Sequence, residues 1–175
     1  KDGRITLADL DKQPQTKPPP PATEHVETQI IAHNKMRQRI ADNMVTSLMH
    51  TAPHVTAVFE ADLGAVMQHR RANKARFENA GTPLTLTAYF VAAAVAGIRE
   101  VPRVNSRWFD DHLEIYPHIN MGIGTALGDQ GLIVPVIHDV QDMGLESIAA
   151  RLADLTSRAR DNQLKPGDVR DGRFT

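Results

Sequence analysis

The chain is 175 residues long and 41% hydrophobic, with 20 basic and 21 acidic side chains, a formal net charge of -1 and no cysteine. That balance lacks the footprint of a nucleic-acid or anionic-membrane binder. The missing thiols exclude disulfides, thiolate metal sites and a cysteine nucleophile, and suit a reducing compartment. The apolar run Ala88 to Ile98 is about half of the ~20 residues a membrane helix needs, so neither nucleic acid nor membrane is an expected partner.

Residues 1–12 read as a turn and one short helix, with Thr6 and Asp9 placed as in a capping box. Residues 13–30 then carry Pro14, Pro18, Pro19, Pro20 and Pro21 among polar side chains, the composition of an extended linker. From residue 31 the character becomes that of a folded domain. Met36, Ile40, Met44 and Leu48 recur every four residues, which predicts an amphipathic helix. Val55, Ala57, Phe59 and Ala61 alternate with Thr56, Val58 and Glu60 and predict a strand. Asp62 is placed to cap a helix over Leu63 to Glu78, whose outer side is basic through His69, Arg70, Arg71, Lys74 and Arg76. After the break Asn79–Pro83, the alanine-rich segment Leu84 to Arg99 predicts a core helix buried on most sides, ended by Pro102. Trp108-Phe109 and Leu113–Tyr116 around Asp110-Asp111-His112 read as a hairpin.

The centre of the chain is His118 to Val140. Two apolar runs, Ile119 to Leu127 and Leu132 to Ile137, flank Gly128-Asp129-Gln130-Gly131 and predict paired, buried strands. Gly122 and Gly124 share one parity of the first run, so one face is nearly bare and another backbone or a ligand is expected close to it. Pro135 cannot donate to a ladder and is expected at an edge, a bulge or a subunit boundary. Leu145, Ile148, Leu152, Leu155 and Ala159 form the stripe of a last helix, closed by Asn162 and Lys165-Pro166-Gly167. A strand is expected to start at Phe174. Helices and strands mix without a regular βαβ repeat, which argues for an α+β fold with helices on one face of a sheet.

Spacing alone does not name a reaction. The glycines at 122, 124 and 128 lie within a strand pair, not at the strand-to-helix turn of a phosphate loop. None of the eight histidines is spaced as part of a metal pair, and no metal is expected. His54 and His118 are each placed to act as a general base, although a lone histidine is more often a turn or surface residue. No serine sits in a GxSxG elbow.

Several segments together carry more information: Met36–Met44 (MRQRIADNM), Ala52–Thr56 (APHVT), Leu84–Phe90, Val101–Ser106 (VPRVNS), His118–Gly124 (HINMGIG), Gln130–Val136 (QGLIVPV), Leu164–Val169 (LKPGDV) and Phe174-Thr175. In these, and in this order, residues 31–175 resemble the N-terminal and middle part of the catalytic domain of the dihydrolipoamide acyltransferases, the E2 components of 2-oxo acid dehydrogenase complexes. Residues 1–12 resemble the tail of the peripheral-subunit-binding domain that precedes the linker in those proteins. The resemblance implies a chloramphenicol-acetyltransferase-like fold, incomplete at the C-terminus. It also implies homotrimers that assemble into a larger core, and E1 and E3 partners held through the upstream binding domain. The implied reaction moves an acyl group from a lipoyl thioester to coenzyme A as substrate, with the lipoyl group on a domain not present in this chain. A histidine takes the thiol proton, the thiolate attacks the thioester carbonyl, and a hydroxyl stabilises the oxyanion.

The family's catalytic histidine and its aspartate belong to a DHRxxDG-type motif expected beyond Thr175, so no catalytic role passes to the histidines present. The resemblance implies substrate contacts instead: Arg37 or Arg39 for coenzyme A phosphates, Thr85 for coenzyme A at the start of the core helix, and His54 and Asn105 along the channel. The alternative reading is a non-catalytic core protein whose role is to organise a multi-enzyme complex. Bacterial cytosol and mitochondrial matrix both fit. For a chain that stops at Thr175, the face beside Ile119 to Thr125 is expected to be exposed and prone to association.

Overall fold

Four α-helices and six short strands follow one another through the described residues, 30–51 and 55–175, of the computed structural model. The tail and most of the linker expected in residues 1–30 lie outside them. Helix α1 (Lys35–Thr46) starts where Asn34 Oδ1 accepts the Arg37 amide at 2.8 Å, satisfying one first-turn donor. It widens into a π turn over Ser47–Thr51. Only half of its expected stripe is covered: Met36 and Ile40 are half-buried, whereas Met44 and Leu48 are exposed. The covered half rests on Gly131, where a Cβ would stand 3.1 Å from the Met36 sulfur and where φ of +118° already disfavours any side chain.

The strand expected over Val55 to Ala61 does not form; residues 55–63 carry no regular structure. The alternation is present, but a strand exists only through a ladder partner, and no described segment pairs with this one. Phe59 is 91% exposed as a result. Helix α2 (Gly64–Asn79) begins one residue later than expected, with Asp62 Oδ1 accepting the Gly64 amide at 2.7 Å.

Helix α3 (Leu86–Glu100) is capped by Thr85, whose Oγ1 accepts the Ala88 amide. It buries one face, Ala88, Val91, Val95 and Ile98, and leaves Phe90, Ala93 and Ala96 in the open. The expectation of burial on most sides is thereby corrected: alanine-rich composition raises mean hydropathy without saying how many faces meet a partner. Helix α4 (Leu145–Arg160) follows its predicted stripe, burying Ile148, Ala149, Leu152, Leu155 and Ala159. Helices α3 and α4 pack together over Phe77, Leu84, Ile119, Met121, Ile137 and Val140, which form one core.

The strands make three antiparallel two-stranded ladders where one sheet was expected. Strands β1 (Ser106–Trp108) and β2 (Leu113–Ile115) form the hairpin, Ser106 opposite Ile115. Strand β3 (Met121–Gly122) pairs with β6 (Val136–Ile137), and β4 (Thr125–Ala126) with β5 (Leu132–Ile133). These are the two expected central strands, interrupted at Val134-Pro135. Pro135 has no amide to donate, yet its carbonyl accepts the Ile123 amide at 2.8 Å and keeps the halves in register. The bare face at Gly122 has its reason: Phe174 O accepts the Gly122 amide at 2.7 Å, and a Cβ there would lie 2.7 Å from Thr175 Oγ1 and 2.8 Å from Val134 Cγ1. Phe174 thus bridges Met121 in parallel, where a strand was expected to begin. The face beside it is not exposed as anticipated, since Ile119, Met121 and Thr125 are buried beneath α3, α4 and the returning chain.

That return is held chiefly by Arg158, with Arg151 Nη2 a second, longer contact 3.7 Å from Asp168 Oδ1. The Arg158 guanidinium reaches both Asp154 and Asp168, and Asp168 also accepts the Lys165 amide at 2.8 Å. Arg158 first and the Lys165 amide second hold the Asp168 carboxyl down at about 2. The Pro166–Val169 turn is therefore tied to α4, and the chain is delivered from there to Gly122.

Candidate functional site

Helices begin with unpaired amides and a partial positive charge, and the N-terminus of α3 opens into a cleft of ≈ 540 Å³. Thr85 and Thr87 form one wall, Ile123 to Ala126 the floor, and the C-terminal half of α4 the other wall, with Leu152, Thr156, Ser157 and Arg160. A Cβ at Gly124 would meet only the Leu132 side chain, at an ordinary contact distance of 3.7 Å, so packing leaves room at this point of the floor. The cleft therefore combines a helix N-terminus, the hydroxyls of Thr85, Thr87, Thr125, Thr156 and Ser157, the Arg160 guanidinium and the Asp161 carboxylate with a largely apolar floor. Those groups suit an elongated ligand that carries an oxyanion at one end, because amides and guanidinium both donate to phosphate-type oxygens.

The structure brings one expected site residue, Thr85, to this cleft. Its hydroxyl also caps α3, so the same oxygen fixes the helix end that faces the cavity. Arg37 lies elsewhere, its Nη2 3.5 Å from the Asp129 carbonyl, where it ties α1 to the loop between β4 and β5. Arg39 is exposed and also outside the cleft. Asn105 is 1% exposed; its Nδ2 donates to the Tyr116 and His118 carbonyls at 2.8 and 3.0 Å. It sits inside a wall and shapes the end of the β2 segment, with Oδ1 buried and unpartnered among the described residues. His54 lies outside the described residues.

Arg160, Thr87 and Thr156 escaped sequence reading. Arg160 had a signal, a cation in the last turn of a well-defined helix, but nothing in the pattern says that this turn faces the start of α3. The basic side of α2 is engaged locally instead: Arg70 Nε donates to Leu84 O at 2.8 Å, His69 Nδ1 is 2.7 Å from the Tyr89 hydroxyl, and Arg76 pairs with Glu146. Among the described residues no three His, Asp or Glu side chains group to hold a metal ion, and no helix is long and apolar enough to cross a membrane.

Residues 25–175 match the family model of the 2-oxoacid dehydrogenases acyltransferase catalytic domain. The chain belongs to this family. Curated E2 relatives agree. It is 35% identical over 144 residues to the dihydrolipoyllysine-residue acetyltransferase component of the Corynebacterium glutamicum pyruvate dehydrogenase complex, covering 81% of this chain and 21% of that protein. It is 32% identical over 186 residues to the succinyltransferase component of the Rickettsia bellii 2-oxoglutarate dehydrogenase complex, covering 100% of this chain and 45% of that protein. Among solved E2 structures, the cubic core of the pyruvate dehydrogenase multienzyme complex superposes with a TM-score of 0.79 at 27% identity, over 89% of this chain and 65% of that one. The Azotobacter vinelandii dihydrolipoamide acetyltransferase gives 0.78 at 28% identity, with the same coverage. The chloramphenicol-acetyltransferase-like α+β fold expected from the resemblance is therefore the fold of this chain. The chain spans less than half the length of these two curated relatives and under two thirds of these solved chains.

Proposed function

We propose that the chain forms the acceptor-binding part of an acyltransferase that moves an acyl group from a lipoyl thioester to coenzyme A within a 2-oxo acid dehydrogenase complex. The observation that carries this reading is the family match along residues 25–175, joined to a cleft whose donors suit a phosphate-bearing acceptor. Thr85 and the α3 N-terminus receive the coenzyme A portion, and Arg160 takes the role of phosphate contact that the resemblance suggested for Arg37 or Arg39. No histidine of this chain is assigned as the general base. Acetyl- and succinyltransferase relatives both match, so the proposal names the acyl class and not one acid.

The reading includes assembly into a homotrimer and a larger core. The uncovered apolar side of α1 and of residues 55–59 supports it. It also includes E1 and E3 partners bound upstream, and a bacterial or mitochondrial setting like that of the relatives. Acyl transfer from acyl-dihydrolipoamide to coenzyme A, measured on this polypeptide and on the product of its full reading frame, tests the proposal. Turnover by the longer protein that falls about tenfold or more in Arg160→Gln supports it, since a charge-assisted hydrogen bond is worth ~1.5–3 kcal/mol. Large particles without turnover from either protein would establish the scaffold reading instead.

A further inference from the structure

Away from the Thr85 cleft, three loops meet around a second cavity of ≈ 430 Å³ lined by Tyr116, His118, Asn120, His138, Asp139, Asp171 and Arg173. Its parts are fixed to one another. Asn120 accepts the Asp139 amide at 3.1 Å through Oδ1 and donates to the Asp171 carbonyl at 3.0 Å through Nδ2. Arg173 donates its amide to Asn120 O at 2.9 Å and lays its guanidinium over the Tyr116 ring, 4.3 Å from the centroid. That guanidinium has no carboxylate partner among the described residues. His118 Nδ1 stands 2.7 Å from Asp139 Oδ1. Asp139 is held in the left-handed region at φ 51°, an uncommon state for a residue other than glycine and one that local hydrogen bonds must maintain.

The orientation of His118 decides what the cavity can bind. Asp139 accepts hydrogen bonds from Gln141 and His118, and both lower its pKa, so it remains a carboxylate. A carboxylate can only accept, so His118 carries its proton on Nδ1 and directs Nε2 away from Asp139. With a neutral ring that nitrogen is a lone pair and repels an oxyanion; with a charged ring it is a donor. His138, whose Nε2 contacts Gly167 O at 3.1 Å, adds a second titratable ring on the same wall. With both rings neutral, Asp139 and Asp171 outweigh Arg173 and the cavity is net negative. With both charged, the balance reverses.

We propose that this cavity is a proton-gated site for a small oxyanion, a carboxylate or a phosphate group, held between the Arg173 guanidinium and Nε2 of charged His118. Arg173 supplies the permanent charge and a planar fork that matches either anion. Tyr116 supports the fork from below, Asn120 fixes the backbone at Asp139 and Asp171, and Asp139 orients the imidazole and sets its tautomer. The gate follows from charge alone and needs no movement of the backbone.

A two-dimensional NMR titration of the chain with sodium phosphate and, separately, sodium acetate at matched ionic strength tests this. Runs at about pH 6 and about pH 8 compare the cavity at higher and lower proton activity. The readout is local: the imidazole resonances of His118 and the amides of Asn120, Gly172 and Arg173, which the Thr85 cleft does not touch. Saturable shifts at the lower pH, weaker by about fivefold or more at the higher one, are expected, since a screened surface charge is worth up to ~1 kcal/mol. Tighter phosphate than acetate assigns a phosphorylated ligand, and the reverse a carboxylate. Arg173→Gln is expected to abolish saturation and His118→Gln to remove most of the pH dependence; both side chains are exposed, and amide spectra check that each variant is folded. Absence of saturation with either anion at the lower pH, equal affinity at the two values, or an Arg173→Gln variant that binds like the parent overturns the assignment.

Discussion

The α3–α4 core and the α1 edge share one kind of sequence pattern and reach opposite ends. On α3 and α4 the stripe residues find each other: Val91, Val95 and Ile98 pack in one cluster with Ile148, Leu152 and Leu155. On α1 the same four-residue spacing ends with Met44, Val45, Leu48 and Met49 exposed, and Val55, Val58 and Phe59 are exposed as well. The difference lies in the facing surface and not in the helices. An amphipathic stripe states that a face is meant to be covered; it does not say whether the same chain covers it.

Truncating a side chain on each region separates the two cases most sharply. Leu155 is 1% exposed, and Leu155→Ala is expected to cost about 3 kcal/mol, a lost side chain plus the cavity left among α3 and the strands. Leu48→Ala, the matching change at the edge, is expected to stay within about 0.5 kcal/mol. Urea midpoints at constant m-value measure both. A smaller but specific loss is expected where the core is latched. Asp168→Ala removes the acceptor of Arg158 and of the Lys165 amide and should cost about 2 kcal/mol. The sign of its pH dependence is fixed: the folded carboxyl titrates at about 2, below the ordinary carboxylate value of about 4. Its contribution is complete above about pH 4 and drains away as pH falls towards 2. Acid unfolding should therefore begin at higher pH in the variant, as followed by circular dichroism.

The parts of this fold that could be read in the sequence are those set by local periodicity and capping. The α4 stripe and the turn at Gly128–Gln130 follow from residues within a few positions of one another. The break in the central ladder was foreshadowed by Pro135, whose missing amide has a purely local consequence. What stayed hidden depends on partners distant in the chain. Nothing near Val55 to Ala61 reveals that this alternation lacks a ladder neighbour. Nothing near Arg160 places it opposite Thr85, and His118 and Asp139 meet across 21 positions. The reaction class rested on a set of family motifs, because the polar groups of the Thr85 cleft come from three separate segments with no shared spacing.

The edge carries the smallest expected change in folding and the clearest test of what the comparison means. Leu48→Ser combined with Phe59→Ser replaces two apolar side chains that the chain itself leaves in water, 54% and 91% exposed. Folding should hardly notice, within about 0.5 kcal/mol, because neither side chain loses a packed neighbour. Association should notice strongly. Covering a leucine or a phenylalanine fully is worth ~1.5–3 kcal/mol, so losing both in a shared interface weakens self-association by on the order of a hundredfold or more. Sedimentation velocity across a concentration series reads this directly, with unfolding curves on the same samples. If the double variant instead unfolds at clearly lower denaturant while its oligomeric state is unchanged, the edge is covered by its own chain in solution and the contrast with the core collapses. If the oligomer dissociates and the fold persists, the α1 stripe and the residue 55–59 segment are core positions of the assembly, and their apolar pattern has the same physical cause as that of α4.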